Sequence, residues 1–124
     1  MEPQLHALVL GATLVHLRER RGLKQNELAE QVGLSKNKMS RIEMGRSLVD
    51  TNLLQRLCAA LGIERSRLLE LVDEGMTRTR EAARQTLRAS SKDWWDVVQS
   101  RVGALGTAAL VTFSVSDVLV QQSA

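Results

Sequence analysis

Apolar residues recur every three or four positions in the first part of the chain, a spacing that places them on one face of a helix. Residues 5–21 show it first, with Leu10, Leu14 and Leu17 on one face and Gly22 after the last turn. A glycine directly after such a pattern is a typical helix end, because it adopts a left-handed backbone at little cost. The pattern therefore predicts a first helix over residues 5–21.

Two short helical patterns follow, back to back around a single glycine. The first covers residues 25–32, and Gly33 then provides a turn that needs a positive φ angle. Ser35 is a residue type that caps a helix by accepting backbone N–H bonds, so a third helix is predicted over residues 35–44. At about 100° of rotation per residue, Met39 and Ile42 lie on its core side, and four polar residues lie on the other side: Lys36, Asn37, Ser40 and Arg41.

Two further helices are predicted before residue 75. The fourth is capped by Asp50 or Thr51 and ends at Gly62, and the fifth covers about residues 64–72 and runs into the polar residues 73–75. The chain is therefore expected to be all-α, with five helices in a first domain of residues 1–75 and a mainly helical extension over residues 76–124.

Composition agrees with one small helical domain and an appendage. The 124 residues are 44% hydrophobic but only 2% aromatic, with no tyrosine, so the core must be aliphatic. The single cysteine, Cys58, cannot form an internal disulfide and lies among leucines and alanines, which predicts burial. No secretion signal or membrane-spanning run is recognisable, so a cytoplasmic protein that does not bind membranes is expected. The net charge of +3 points mildly to anionic partners.

The stretch "LRERRGLKQNELAEQVGLSKNKMSRIEMG", followed by "LLQRLCAALGI", resembles the Xre-type or lambda-repressor-like helix-turn-helix regulators of bacteria and phages. The resemblance covers about residues 10–71 and rests on the order "Q..LA...G.S" and the closing "E.G". It implies a five-helix fold in which the third helix enters the major groove of DNA, while the amino end of the second helix meets the phosphate backbone.

The resemblance also implies which residues touch DNA. Gln25 matches a glutamine that grips a phosphate and so positions the domain. Arg18 and Glu43 match a pair that bridges the first helix to the end of the third, which is a structural role. Lys38, Ser40 and Arg46 match positions that are better placed for phosphates. The predicted DNA-binding residues are Gln25, Ser35, Lys36, Asn37, Lys38, Ser40, Arg41 and Arg46, of which Lys36, Asn37 and Arg41 are expected to reach base edges.

The last fifty residues carry weaker signals. Residues 76–88 form a basic helical pattern that could be a second DNA contact, although its thin apolar face favours a solvated linker helix. Trp94 and Trp95 begin an apolar cluster that something must cover, and residues 105–124 fit a strand or a helix equally well. This tail is distantly similar to the start of a domain found in antitoxin-like regulators. A dimerisation element is the preferred interpretation, because a short apolar tail needs a partner surface.

Enzymatic function is not expected. The sequence contains no carboxylate pair, glycine-rich phosphate loop or metal-ligand cluster, so no cofactor or metal is predicted. The favoured function is a homodimeric, sequence-specific regulator of transcription, most simply a repressor, that binds double-stranded DNA. The alternative is an antitoxin or accessory subunit, whose tail binds a partner protein and whose first domain autoregulates its operon.

Overall fold

Five helices form the part of the chain that the computed structural model describes, residues 2–89, with side chains described from residue 4 to residue 85. The helices are α1 (Glu2–Arg20), α2 (Gln25–Gln31), α3 (Lys36–Glu43), α4 (Thr51–Leu61) and α5 (Arg65–Ala89). The predicted all-α, five-helix architecture is confirmed. None of these helices combines the length and the apolar character needed to cross a bilayer. The predicted clusters beyond residue 89, including Trp94 and Trp95, lie outside the described residues.

The turn between α2 and α3 forms as the sequence predicts. Gly33 adopts φ +73°, and the next residue, Leu34, donates its backbone N–H to the Ala29 carbonyl over 2.8 Å. The Ser35 hydroxyl accepts the backbone N–H of Lys38 over 3.1 Å, which satisfies one of the free donors at the start of α3. The two short helices are therefore joined by a defined turn rather than by a loop.

The structure shows which of two residues, Asp50 or Thr51, caps the fourth helix. The Asp50 carboxylate accepts the backbone N–H of Leu53 over 2.7 Å, so Asp50 is the cap and Thr51 is the first helical residue. The helix ends at Leu61, and Gly62 caps it in a left-handed conformation. The Arg21 guanidinium also donates to the Leu61 carbonyl over 3.2 Å, which satisfies one of the last carbonyls of α4.

An aliphatic core connects the five helices. Helix α1 packs against both α3 and α5, α2 packs against α3, and α4 packs against α5. Cys58 is buried in this core as predicted, and burial raises the pKa of its thiol above the usual value. The largest side chains that are fully removed from solvent are Leu14, Leu28, Met39, Ile42, Leu57 and Leu68.

Gly11 lets α1 approach the end of α3 unusually closely. A β-carbon at this position would lie 2.6 Å from the backbone carbonyl oxygens of both Ile42 and Glu43. Contacts this short to rigid backbone cannot be relieved by turning a side chain, so only glycine fits without moving a helix. The position of the carboxyl end of α3 is thus fixed by backbone-to-backbone packing against α1.

Helix α5 is longer than the sequence predicted. The expected end near residues 72–75 is wrong, because the helix continues through Gly75 to Ala89. Met76 and Thr79 are buried, and the Thr79 hydroxyl donates to the Gly75 carbonyl over 2.8 Å. The first turn of the predicted solvated linker is therefore part of the packed domain, and this tertiary burial offsets the poor helix propensity of Gly75. The division of the chain near residue 75 into two functional parts stays a prediction.

Candidate nucleic-acid interface

Helix α3 divides cleanly into a buried side and an outward side. Met39 and Ile42 are fully buried against the core, as the predicted helical rotation requires. Lys36, Asn37 and Arg41 are exposed on the other side, and Ser40 is half-buried beside them. The core contacts of α3 therefore hold a polar, positively charged face toward solvent.

Four of the predicted DNA-binding residues meet in one place. Asn37, Ser40, Arg41 and Arg46 line a single shallow depression on the surface, together with Met44. Arg46 reaches this depression because the chain turns directly after α3, where its backbone N–H bonds to the Arg41 carbonyl over 2.8 Å. The side chains available there are an amide, a hydroxyl and two guanidinium groups, which can pair with base edges or phosphates.

Three other predicted residues of this segment, Ser35, Lys36 and Lys38, do not line the depression. The Lys38 ammonium donates to the Ser47 hydroxyl over 2.6 Å, so it faces the segment after α3. Ser35 is occupied as the cap of α3, and Lys36 is exposed near the amino end of the helix. These three residues therefore lie at the amino end of α3, with Ser35 as its cap and both lysines in its first turn.

A buried carboxylate joins α1, α2 and α3 behind the outward face. Glu43 accepts from Arg18 twice, from Nε to Oε2 over 2.7 Å and from Nη2 to Oε1 over 3.2 Å. The Glu43 side chain is 3% exposed and that of Arg18 is 13% exposed. The third guanidinium nitrogen of Arg18 donates to the Leu23 carbonyl over 2.9 Å. The predicted ion pair therefore forms with the fork-like geometry that suits an arginine and a carboxylate.

Gln25 belongs to the same network, which the sequence did not predict. Its Nε2 atom donates to Glu43 Oε1 over 2.7 Å, and its side chain is half-buried at the first residue of α2. A carboxamide nitrogen carries two hydrogens, so this bond fixes the group while one N–H remains. The orientation of Gln25 thus depends on a carboxylate supplied by α3.

The burial of Glu43 also removes a negative charge from the exposed surface of residues 36–46. Residues 36–46 contain four cationic side chains, Lys36, Lys38, Arg41 and Arg46, and one carboxylate, Glu43. Because Arg18 neutralises that carboxylate in the interior, the exposed groups of this segment are positive or neutral. A surface of this kind attracts a polyanion at long range.

Sequence reasoning missed Met44 and Ser47 as parts of this surface. Met44 caps the carboxyl end of α3 and is 48% exposed, and the Ser47 hydroxyl accepts a hydrogen bond from the Lys38 ammonium. Met44 could have been found from its spacing, since it follows Asn37 by seven positions and Arg41 by three. No sequence pattern indicates the hydroxyl partner of Lys38.

Comparison with known proteins agrees with this fold. A family model described as "Helix-turn-helix domain" matches residues 9–71, which covers α2, α3 and the turn between them. The chain therefore belongs to the helix-turn-helix domain family of DNA-binding transcriptional regulators.

Individual relatives come from a phage and from a bacterium, and the bacterial one is named as a gene regulator. The chain is 34% identical over 70 residues to the ImmF control region 10 kDa protein of Bacillus phage phi105, covering 53% of this chain and 78% of that protein. The chain also matches a crystal structure of the clp gene regulator ClgR from Corynebacterium glutamicum, with 30% sequence identity and a TM-score of 0.60. The match covers 71% of this chain and 96% of the ClgR chain. A second ClgR structure is 35% identical, with a TM-score of 0.52 over 56% of this chain and 88% of that one.

Proposed function

We propose that this chain regulates transcription by reading a specific operator with α3, and that Asn37 and Arg41 make the sequence-reading contacts. The observation that carries the proposal is the outward face of α3, where an amide and a guanidinium stand together in one depression. Arginine pairs with the O6 and N7 atoms of guanine, and asparagine pairs with N6 and N7 of adenine. Lys36, at the exposed amino end of α3, is the third base-reading candidate.

The surrounding residues are proposed to hold the domain on the phosphate backbone. Arg46 lines the depression, and the Lys38 ammonium is held by the Ser47 hydroxyl. Ser40 and Ser35 offer hydroxyl groups near the same surface. Gln25 is proposed to donate its second N–H to a phosphate while Glu43 holds the first, which would fix the register without reading sequence.

Regulation by a homodimer is the favoured form of this activity. Two copies place two recognition helices on half-sites separated by one helical turn of DNA, which raises both affinity and site length. The apolar residues around Trp94 and Trp95 are the proposed dimer element. Repression is the simplest outcome, because a domain seated in the major groove blocks other proteins from the same DNA. The related phage control-region protein and the clp gene regulator ClgR are consistent with a regulatory role of this type.

Two finer points belong to the same proposal. A non-enzymatic protein is expected, because the proposed role needs only binding. Its place of action is then the cytoplasm, where bacterial and phage operators lie. The antitoxin alternative predicts instead that a second polypeptide co-purifies with the full chain.

The test is selection of bound sequences from random DNA by the full chain, combined with a mass measurement of the protein–DNA complex. We expect one enriched sequence with two related half-sites and a mass of two chains per duplex. Arg84→Ala tests the alternative that α5 is a second DNA contact, because Arg84 is exposed on α5, where it pairs with Glu81 over 3.3 Å. If α5 is a second DNA contact, this variant will bind all duplexes more weakly. Recovery of no enriched sequence would refute the proposed function.

A further inference from the structure

Met44 is an exposed apolar residue inside a polar surface. It occupies the carboxyl-terminal cap of α3 and is 48% exposed, whereas the other large apolar residues of α3, Met39 and Ile42, are fully buried. A methionine side chain exposed to water in the free protein gains stability when a partner covers it. Its position therefore leaves an apolar group available for a contact that the free protein does not make.

The geometry places Met44 on the same outward face of α3 as Asn37 and Arg41. It lines the same depression as Asn37 and Arg41, and it follows them by seven and three residues, which is the spacing of one helix face. The Ser40 hydroxyl donates weakly to the Met44 sulfur over 3.7 Å, which draws the thioether toward this face. At 1.5 Å per residue, Met44 lies about 10 Å from Asn37 along α3, a distance of roughly three base pairs.

The chemistry of the side chain restricts what it can recognise. A thioether has no hydrogen to donate and is a weak acceptor, so it cannot hold a phosphate or pair with a base edge. The apolar feature of the major groove is the C5-methyl group of thymine. Methionine suits such a contact, because its flexible and polarisable chain adapts to small apolar groups. Resting on the proposed function, we propose that Met44 contacts the C5-methyl group of a thymine at the edge of the operator half-site and makes thymine the preferred base there.

Leu48 provides a matched control. It is 82% exposed in the segment between α3 and α4, so it is more accessible than Met44, but it does not line the depression. If exposure of an apolar side chain were enough to affect DNA binding, Leu48→Ala would have the same effect as Met44→Ala. The inference requires that the difference in affinity between a duplex with and without the methyl group depends on Met44 and not on Leu48.

The experiment uses the full chain and the duplex selected by the wild-type protein. Each thymine of one half-site is replaced in turn by deoxyuridine, which lacks only the C5-methyl group. Affinity is then measured for the wild type, Met44→Ala, Met44→Gln and Leu48→Ala. Because Met44 is half exposed, the variants should fold normally, and thermal unfolding checks this directly.

We expect one thymine at the edge of the half-site where deoxyuridine weakens wild-type binding about fourfold, the factor that corresponds to burying one methyl group. At that position Met44→Ala and Met44→Gln should bind both duplexes equally, and Leu48→Ala should keep the fourfold difference. The inference is overturned if the selected half-site has no thymine at its edge, or if both Met44 variants keep the wild-type response at every thymine. Either result leaves the proposed function intact provided that a sequence is enriched, whereas absence of enrichment refutes the proposed function itself.

Discussion

The buried pair of Arg18 and Glu43 allows a quantitative test of how the domain holds α3 in place. Glu43→Gln keeps the shape of the side chain and removes its charge, which leaves the Arg18 guanidinium 13% exposed with no counter-charge. Arg18→Met removes the guanidinium and leaves the carboxylate, 3% exposed, with Gln25 as its remaining donor. Each change therefore leaves one charge in the interior without its partner.

The expected loss follows from that burial. Removing one member of a buried ion pair costs about 3 kcal/mol or more, because the remaining charge was taken out of water for a partner that is gone. Arg18→Met should be the more costly variant, since it also leaves the Leu23 carbonyl without its donor, which adds about 1 kcal/mol. The double variant Arg18→Met with Glu43→Gln should lose less than the sum, because no charge is then left in the interior.

An exposed pair provides the control for this cycle. Arg67 and Glu70 form an ion pair over 2.9 Å on α5, with side chains that are 36% and 63% exposed. A pair of this kind contributes less than about 1 kcal/mol, so Glu70→Gln should have little effect on the free energy of unfolding. The contrast between Glu43→Gln and Glu70→Gln tests whether burial, rather than charge pairing alone, determines the cost.

Urea unfolding followed by circular dichroism measures all of these free energies. Equal slopes against urea concentration show that each variant unfolds from a similarly compact state. We expect a coupling energy of about 2 kcal/mol between Arg18 and Glu43, in the range typical of side chains in one ion-pair network. Additive losses in the double variant would refute the reasoning, because they would mean that the two side chains do not depend on each other.

Two further predictions concern helix packing and assembly. Gly11→Ala should destabilise the domain, because overpacking against the Glu43 carbonyl costs about 1 to 3 kcal/mol, which exceeds the roughly 1 kcal/mol gained in helix propensity. Urea unfolding measures the change in the free energy of unfolding, and a more stable variant would contradict the prediction. Dilution of the full chain should shift the emission of Trp94 and Trp95, the two tryptophans of the sequence, because a dimer that buries them must dissociate. Emission that does not change from micromolar to nanomolar concentration would argue against this dimer element.

Local sequence signals predicted the helix-turn-helix unit well. A glycine at the turn, a serine cap and apolar residues at helical spacing each act over a few residues, so Gly33, Ser35 and the pair Met39 and Ile42 could be placed without knowledge of the tertiary fold. The outward face of α3 followed directly, because a helix whose apolar side is known also has its polar side fixed.

Two of the features that were wrong or missed depend on contacts between distant residues. The end of α5 was misplaced because Gly75 and its polar neighbours disfavour a helix locally, whereas burial of Met76 and Thr79 decides the outcome. The hydrogen bond from Gln25 to Glu43 joins residues 18 positions apart, and no periodic pattern encodes it. Met44 was missed for a different reason: a methionine at the end of an amphipathic helix is usually assigned to the core.

The central claim is that α3 reads base sequence, and affinity for a panel of single-base operator variants at several salt concentrations tests it most directly. Asn37→Ala and Arg41→Ala should each lose about 1 to 3 kcal/mol on the selected site and lose preference at one or two base pairs. Gln25→Ala and Arg46→Ala should weaken binding to all duplexes alike, and only Arg46→Ala should reduce the salt dependence, by about one unit. If Asn37→Ala and Arg41→Ala instead lower every affinity by one common factor, α3 does not read sequence and the claim is contradicted.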